Sequence, residues 1–226
     1  MSTAVSLVAA LISTLFFFDL ARRYRVSPRP HTAAYAAGIG FFALATWAFW
    51  LGTATGWTSA SFRAFFLCGA IVNIPVLALG SMFLVVGRRA GHIMLMLLFP
   101  FFAISIPMAL AQPFDAGALP HGGVPNGRDL WLDMFGPRLW AAIGGGMGAT
   151  IIIVLALVSM VRFYRRNPRL VVGNLSIVAG TLAASTGGTV LAFGYEWGFA
   201  GSLLTSVTLI WLGYRIAVGR REVVLD

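Results

Sequence analysis

The sequence contains no lysine, and all sixteen of its basic residues are arginine. A chromophore or cofactor held as a Schiff base needs a lysine amine, so a protein with covalently bound retinal is excluded. Cysteine is almost as scarce, since Cys68 stands alone in the chain. An intramolecular disulfide is therefore excluded, and the position of Cys68 within an apolar stretch is typical of a buried, inert thiol.

Groups that carry out acid–base or metal chemistry are also few. Seven acids, three histidines and one cysteine are scattered along 226 residues. The sequence has no closely paired acids, no His-Glu-x-x-His motif, no Ser-His-Asp set and no glycine-rich phosphate loop. We therefore predict that the protein is not an enzyme and holds no cofactor or metal.

Apolar residues, in contrast, make up 59% of the chain, charged residues make up 10%, and the mean hydropathy is +0.87. These values are far from those of soluble domains and predict an all-α integral membrane protein in a lipid bilayer. Seven apolar stretches have about the 20 residues that a helix needs to cross roughly 30 Å of hydrocarbon. The predicted spans are 3–18, 31–53, 64–86, 92–111, 139–161, 170–193 and 198–218.

The distribution of arginine predicts the orientation of these spans. No basic residue precedes the first span, as one would in a signal peptide, so we predict an uncleaved helix with its N-terminus outside. Thirteen arginines then fall on the cytoplasmic side with the C-terminus, and three fall outside: Arg63, Arg128 and Arg138. This bias favours a multi-pass protein of a bacterial inner (plasma) membrane. It also accounts for the net charge of +9 without a nucleic-acid partner.

The chain contains an internal duplication. Residues 22–29 (RRYRVSPR) recur 140 positions later as 162–169 (RFYRRNPR), and identical residues lie at this offset on both sides of the hinge. We predict a first triple-helix repeat at 1–89, a linker helix and outer loop at 90–138, and a second triple-helix repeat at 139–226. With one helix between them, the two triplets run in the same direction, related by an axis along the membrane normal.

The layout of three, one and three helices resembles that of SWEET sugar transporters and PQ-loop proteins. The resemblance covers nearly the whole chain but is one of layout, because no Pro-Gln pair occurs and Pro28 and Pro168 lie at helix mouths. The stretch 69–75 (GAIVNIP) is also similar to one in uncharacterised bacterial seven-span proteins. The SWEET resemblance implies a small-solute carrier or facilitator that binds its substrate near the bilayer midplane, between the repeats.

Polar residues near the middle of several spans are candidates for such a pocket. Asn73 lies beside Pro75 in the third span, and its counterpart 132 positions later is Thr205. The candidate substrate-binding residues are Asn73, Thr205, Ser206, Thr46, Trp47 and Thr186. Hydrogen bonds between helices, each worth about 0.6–2 kcal/mol, are the alternative role for the same side chains.

A non-catalytic membrane module, either a sensor or an accessory subunit of a larger complex, is the alternative function. The poverty of intramembrane polar groups favours it, and so does the Gly144-x-x-x-Gly148 spacing in the fifth span. Such a spacing permits close approach of another helix, either within the bundle or from a partner chain or a second copy.

The remaining polar groups have simple interpretations. His31 and His92 begin two spans on the same side, where interfacial solvation is favoured over a haem or metal pair. Asp19 is predicted to pair with Arg22 and Arg23 at the end of the first helix. The loop 112–138 contains His121, Asp115, Asp129 and Asp133 without the spacing of a metal site, and its residues 126–135 form a possible helix at the membrane surface.

Overall fold

The computed structural model describes residues 2–120, 123–131 and 133–218, and within these ranges it contains helices but no strands. Its seven long helices are α1 (Ser2–Val26), α2 (Pro30–Thr55), α3 (Ser59–Val86), α4 (Arg88–Ala111), α5 (Pro137–Phe163), α6 (Pro168–Ala192) and α7 (Glu196–Val218). All seven are long and apolar enough to cross a membrane. The predicted number of spans is confirmed, and it indicates a multi-pass membrane protein.

Several helices begin where their sequences favour it. Proline occupies the first turn of α2, α5 and α6, where its fixed φ suits a helix and its missing N–H costs no hydrogen bond. Thr58 and Ser61 form a capping box at the start of α3. The two basic hinges differ slightly, because α6 begins at Pro168 whereas the matching Pro28 precedes the start of α2 at Pro30.

Helix α3 contains two π-helical segments, Leu67–Val72 and Met82–Val86. The first ends with the N–H of Asn73 donating to the carbonyl of Cys68, five residues back. Pro75 follows two residues later and has no N–H to donate to the helix. A π segment at this point lets the helix continue past the proline, and such segments often occur at functional sites.

Six of the long helices pack as a closed ring. Helix α1 packs on α2, and α2 packs on α3. Helix α3 then packs on α5, α5 on α6 and α6 on α7, and α7 closes the ring by packing on α1. Helix α4 packs mainly on α3. Arg63 of α3 holds the end of α4 by donating to the carbonyl oxygens of Ala109, at 2.6 Å, and Gln112, at 2.9 Å.

Asp19 helps to close this ring. Its Oδ2 accepts hydrogen bonds from Trp211 Nε1 at 3.2 Å and from Arg215 Nη1 at 3.1 Å, so that it links α1 to α7. The predicted local pairing of Asp19 with Arg22 and Arg23 is therefore wrong. Sequence spacing favoured the neighbours on the same helix, whereas helix packing brings a distant arginine to the carboxylate.

An aromatic cluster fills the ring at the end where α2 and α3 are joined. Its members are Phe49, Trp57, Phe62, Phe65, Phe66, Phe114, Trp131 and Phe199. Ring centroids of neighbouring members lie 4.7–6.4 Å apart, which is the range of favourable aromatic packing. The indole N–H of Trp57 donates to the carbonyl oxygen of Gly123 in the long loop at 2.8 Å.

The long loop therefore packs into the protein, and the surface helix predicted at 126–135 is wrong. The helix observed there is a single turn, Gly127–Leu130. Leu130 and Trp131 are buried against the aromatic cluster, while Met134 and Phe135 are exposed. Within this stretch, Trp131 packs against Phe62 of α3 and against Phe114.

Glycines set the closest helix contacts. A Cβ on Gly148 would lie 2.9–3.1 Å from atoms of Ile74, including its backbone, and one on Gly144 would lie 3.1 Å from the carbonyl oxygen of Ile71. The Gly144-x-x-x-Gly148 pair thus packs on α3 within the chain. Of the two roles considered for it, close approach within the bundle is the one observed.

Candidate functional site

A cavity of about 860 Å³ lies inside the ring, at the end that carries the basic hinges. All six ring helices contribute to its wall, whereas none of the lining residues belongs to α4. Representative lining residues, one from each ring helix in turn, are Leu20, Tyr35, Ser81, Ser159, Asn174 and Tyr214. The volume is within the range of cavities that bind small molecules.

The mouth of the cavity is strongly basic. Five arginines line it: Arg23, Arg29, Arg162, Arg166 and Arg169. All but Arg23, which is half-buried, are exposed. No acidic side chain is among the described lining residues, and His31 is the remaining titratable nitrogen base at the mouth.

Two hydrogen-bonded pairs lie in the wall below the mouth. The hydroxyls of Tyr35 and Ser81 are 3.1 Å apart, and Asn174 Nδ2 donates to Ser159 Oγ at 2.8 Å. Thr181, deeper in α6, donates to the carbonyl of Ile177 at 2.8 Å. Much of the hydrogen-bonding capacity of the wall is thus used within the protein.

The far end of the cavity is apolar and closed. Phe16 and Ile39 are nearly fully buried there and pack with Val207. Thr181 is thirteen residues into α6, which at 1.5 Å per residue places the deepest wall about 20 Å from the start of that helix. Beyond it lies the aromatic cluster, so the cavity ends about half-way through the bundle.

Two of the six predicted site residues join α1 to α2. Thr46 lies 3.0 Å from the hydroxyl of Ser13, and the indole N–H of Trp47 donates to the hydroxyl of Thr14 at 3.0 Å. Thr46 also donates within its own helix. These contacts correspond to the alternative considered for them, hydrogen bonds that hold the helices together.

The other four lie on three different helices. Asn73 and Ser206 are buried in α3 and α7, and the side-chain oxygen of Asn73 has no hydrogen-bond partner among the described residues. Thr205 and Thr186 are exposed on α7 and α6. None of the six predicted residues lines the large cavity, which is formed by a different set nearer the hinges.

A pattern in the sequence does point to that set. Thr32, Tyr35 and Ile39 follow one another at helical spacing from the first basic hinge, and Asn174 and Thr181 are seven residues apart from the second. Polar residues that share a helix face with a basic hinge were the available signal. Polar residues near the middle of the spans, the basis of the prediction, do not include this set.

The two histidines have separate surroundings. His31 lines the cavity mouth, whereas His92 Nδ1 donates to the carbonyl oxygen of Arg88 at 2.7 Å and its ring packs edge-on against Phe83. Within the described part of the chain, no three His, Cys, Asp or Glu residues are grouped as metal ligands would be. His121, named above as a loop residue, lies outside that part, as do Arg220 and Arg221.

Comparison of the sequence and fold with protein-family models, with curated proteins and with solved structures gave no match.

Proposed function

We propose that the protein is a small-solute carrier or facilitator, and that its solute enters the cavity at the arginine-rich mouth. The observation that carries this proposal is the interior cavity of about 860 Å³, which is bordered by the arginine-rich hinges and reaches about half-way through the bundle. A carrier needs a site that is reached from one side of the membrane at a time. The described cavity has this form.

The packing of the helices supports a parallel repeat. If α1, α2 and α3 are exchanged with α5, α6 and α7, every contact in the ring falls on another contact of the ring. Arg29 and Arg169, which occupy the same place in the duplicated hinges, both line the mouth. Two co-oriented triplets around a central cavity, with α4 as an outer linker, are consistent with these relations.

The orientation follows from the arginine bias. We place the mouth and the C-terminus in the cytoplasm and the N-terminus and aromatic cluster outside, in a bacterial inner membrane. In this orientation the cavity is open to the cytoplasm.

Accessibility of a single cysteine tests the carrier. In a Cys68→Ser background, Thr181→Cys places a thiol in the deep wall of the cavity. Membrane-impermeant thiol reagent is added to sealed vesicles of either orientation. We expect labelling from the arginine-rich side, and labelling from the opposite side that is slower by about tenfold or more, because a minor conformer is commonly populated at 10% or less.

Two exposed positions calibrate the measurement. Ser59→Cys, at the aromatic end, reports reagent on that side, and Arg25→Cys reports the arginine-rich side. If Thr181→Cys is labelled from the arginine-rich side alone over many hours, while Ser59→Cys reacts normally, the protein does not expose its cavity to both sides. The carrier proposal would then be lost.

The alternative, a non-catalytic membrane module, is favoured by α4. This helix lies outside the ring and exposes a broad apolar surface that includes Met96 at 73% and Phe99 at 77% of their full accessible area. A partner subunit could cover that surface without altering the cavity. Purification in a mild detergent followed by mass measurement distinguishes the single chain from a stable complex or homo-oligomer.

A further inference from the structure

We propose that the cavity binds an amphiphilic organic anion, with its anionic group among the mouth arginines and its apolar body in the deep part. This inference names the ligand class for the site described above and so rests on the proposed function for its physiological meaning. The binding chemistry is nevertheless tested on its own.

The positive charge around the mouth favours a ligand with an anionic group. Guanidinium groups bind carboxylate and phosphate oxygens through two parallel hydrogen bonds. Arg215 of α7 has such a partner in Asp19. None of the five mouth arginines forms an ion pair with a described residue. Five positive charges border one opening: Arg23 and Arg162 near the ends of α1 and α5, Arg169 at the start of α6, and Arg29 and Arg166 between helices.

A surface excess of arginine also arises simply from orientation in the membrane. What distinguishes these five is that they border a deep cavity, whereas the arginines next to two of them do not. Arg22 adjoins Arg23, and Arg165 adjoins Arg166, yet neither Arg22 nor Arg165 lines the cavity. Each pair lies at the same end of the molecule, so that the neighbours serve as charge-matched controls.

The deep wall of the cavity favours a ligand with an apolar body. It presents apolar side chains from five helices: Phe16, Ile39, Leu77, Ile152 and Ile210. An uncharged sugar would need many free donors and acceptors there, because an unpaired buried hydroxyl is costly. The wall polar groups instead bond to each other, as in Tyr35 with Ser81 and Asn174 with Ser159. An apolar body of a ligand loses nothing at such a wall and gains from leaving water.

Decanoate is a suitable probe, because it combines a carboxylate with a ten-carbon chain. Binding is measured by calorimetry on the protein in phosphatidylcholine nanodiscs, with empty nanodiscs as the blank. Decanol has the same ten-carbon chain without a charge, and decyltrimethylammonium has that chain with a positive charge. Glucose represents an uncharged sugar. We expect decanoate to bind at least about tenfold more tightly than each of these, since charge-assisted hydrogen bonds exceed neutral ones. Added salt should weaken its binding.

The double variant Arg23→Gln/Arg166→Gln should weaken decanoate binding by about tenfold or more. The matched double variant Arg22→Gln/Arg165→Gln removes the same charge at the same end and should stay within about twofold of the parent. Equal losses in both doubles would mean attraction to the general surface charge and would overturn the proposal. So would equal binding of decanoate and decanol, or preferential binding of glucose.

Two sources of such an anion are separated by competition. Displacement of decanoate by 2-naphthoate at lower concentration than by lysophosphatidylglycerol indicates a water-soluble organic acid, and the reverse order indicates a single-chain anionic lipid. Failure of both to displace bound decanoate contradicts the site. If decanoate binds as expected but Thr181→Cys is never labelled from the aromatic side, the ligand class stands and the carrier function falls.

Discussion

At the scale of single residues, Asp19 shows how helix packing selects partners that local spacing does not reveal. Its carboxylate bonds to Trp211 and Arg215 across 192 and 196 residues. Because the Asp19 side chain is 34% and that of Arg215 62% exposed, solvent screens the pair.

We expect Asp19→Asn and Arg215→Gln each to lower the stability by about 0.5–1 kcal/mol, the usual contribution of an exposed pair. Thermal unfolding in detergent measures both, and the double variant gives the coupling energy. Additive losses in the double variant would show that the two side chains do not interact.

Asn73 poses the opposite case, because its side-chain oxygen has no partner in the described part of the chain. Its side-chain oxygen is buried in α3 and accepts no hydrogen bond from a described residue. A buried, unsatisfied oxygen costs about 1–3 kcal/mol, so replacing the amide by an apolar side chain of similar size removes that cost.

We therefore expect Asn73→Leu to unfold at the same or a higher temperature than the parent, and to bind decanoate unchanged. A large fall in melting temperature would reveal a hydrogen bond that the structure lacks. Loss of decanoate binding with the fold intact would instead restore Asn73 to the ligand site.

At the scale of helices, the contact of α5 with α3 depends on one face of α5. Gly148 is buried against the backbone of Ile74, whereas Gly146 is exposed with nothing within 4 Å of an added Cβ. A substitution by alanine therefore adds a methyl group to a tight contact at position 148 and to open space at position 146.

We expect Gly148→Ala to destabilise the bundle by about 1–3 kcal/mol through overpacking. Gly146→Ala should be neutral, or stabilising by up to about 1 kcal/mol, because alanine is the better helix former. Melting temperatures of the two variants are compared directly. Equal shifts would mean that α5 does not approach α3 as described.

Helices were also the level at which sequence was most informative. Hydropathy and length predicted seven spans because lipid imposes both requirements on each helix separately. The loop helix at 126–135 was predicted wrongly because Leu130 and Trp131 are buried by distant aromatic residues, which periodicity alone does not show. The π segments of α3 depend on how the backbone adjusts near Pro75, and hydropathy carries no information on that point.

At the scale of the whole molecule, the cavity proposed as the site was harder to predict than the fold. Each cavity residue has an ordinary place in its own helix, and the cavity exists because six helices surround the same space. Sequence periodicity places Tyr35 or Asn174 on a face of a helix, but which faces meet is decided by packing. Polar residues near the middle of the spans predicted Asn73 and Thr205 as site residues, and neither of them lines this cavity.

The aromatic cluster should control access from the second side. Phe114 is half-buried there and contacts Phe62 and Trp131. In the Thr181→Cys background, we expect Phe114→Ala to accelerate labelling from the aromatic end several-fold, because a side chain that helps to close this end is removed. Trp197→Ala, at an exposed ring near the same end, should leave the rate unchanged. Identical rates in both variants would show that the cluster is not the barrier.

The contact between α1 and α7 has a further consequence for how the protein can be made. Because the first and last helices are neighbours, each half of the chain would touch the other along two seams if the polypeptide were cut between α4 and α5. Two fragments synthesised from separate genes should then find each other in the bilayer and rebuild the cavity, so that the covalent join between them is dispensable.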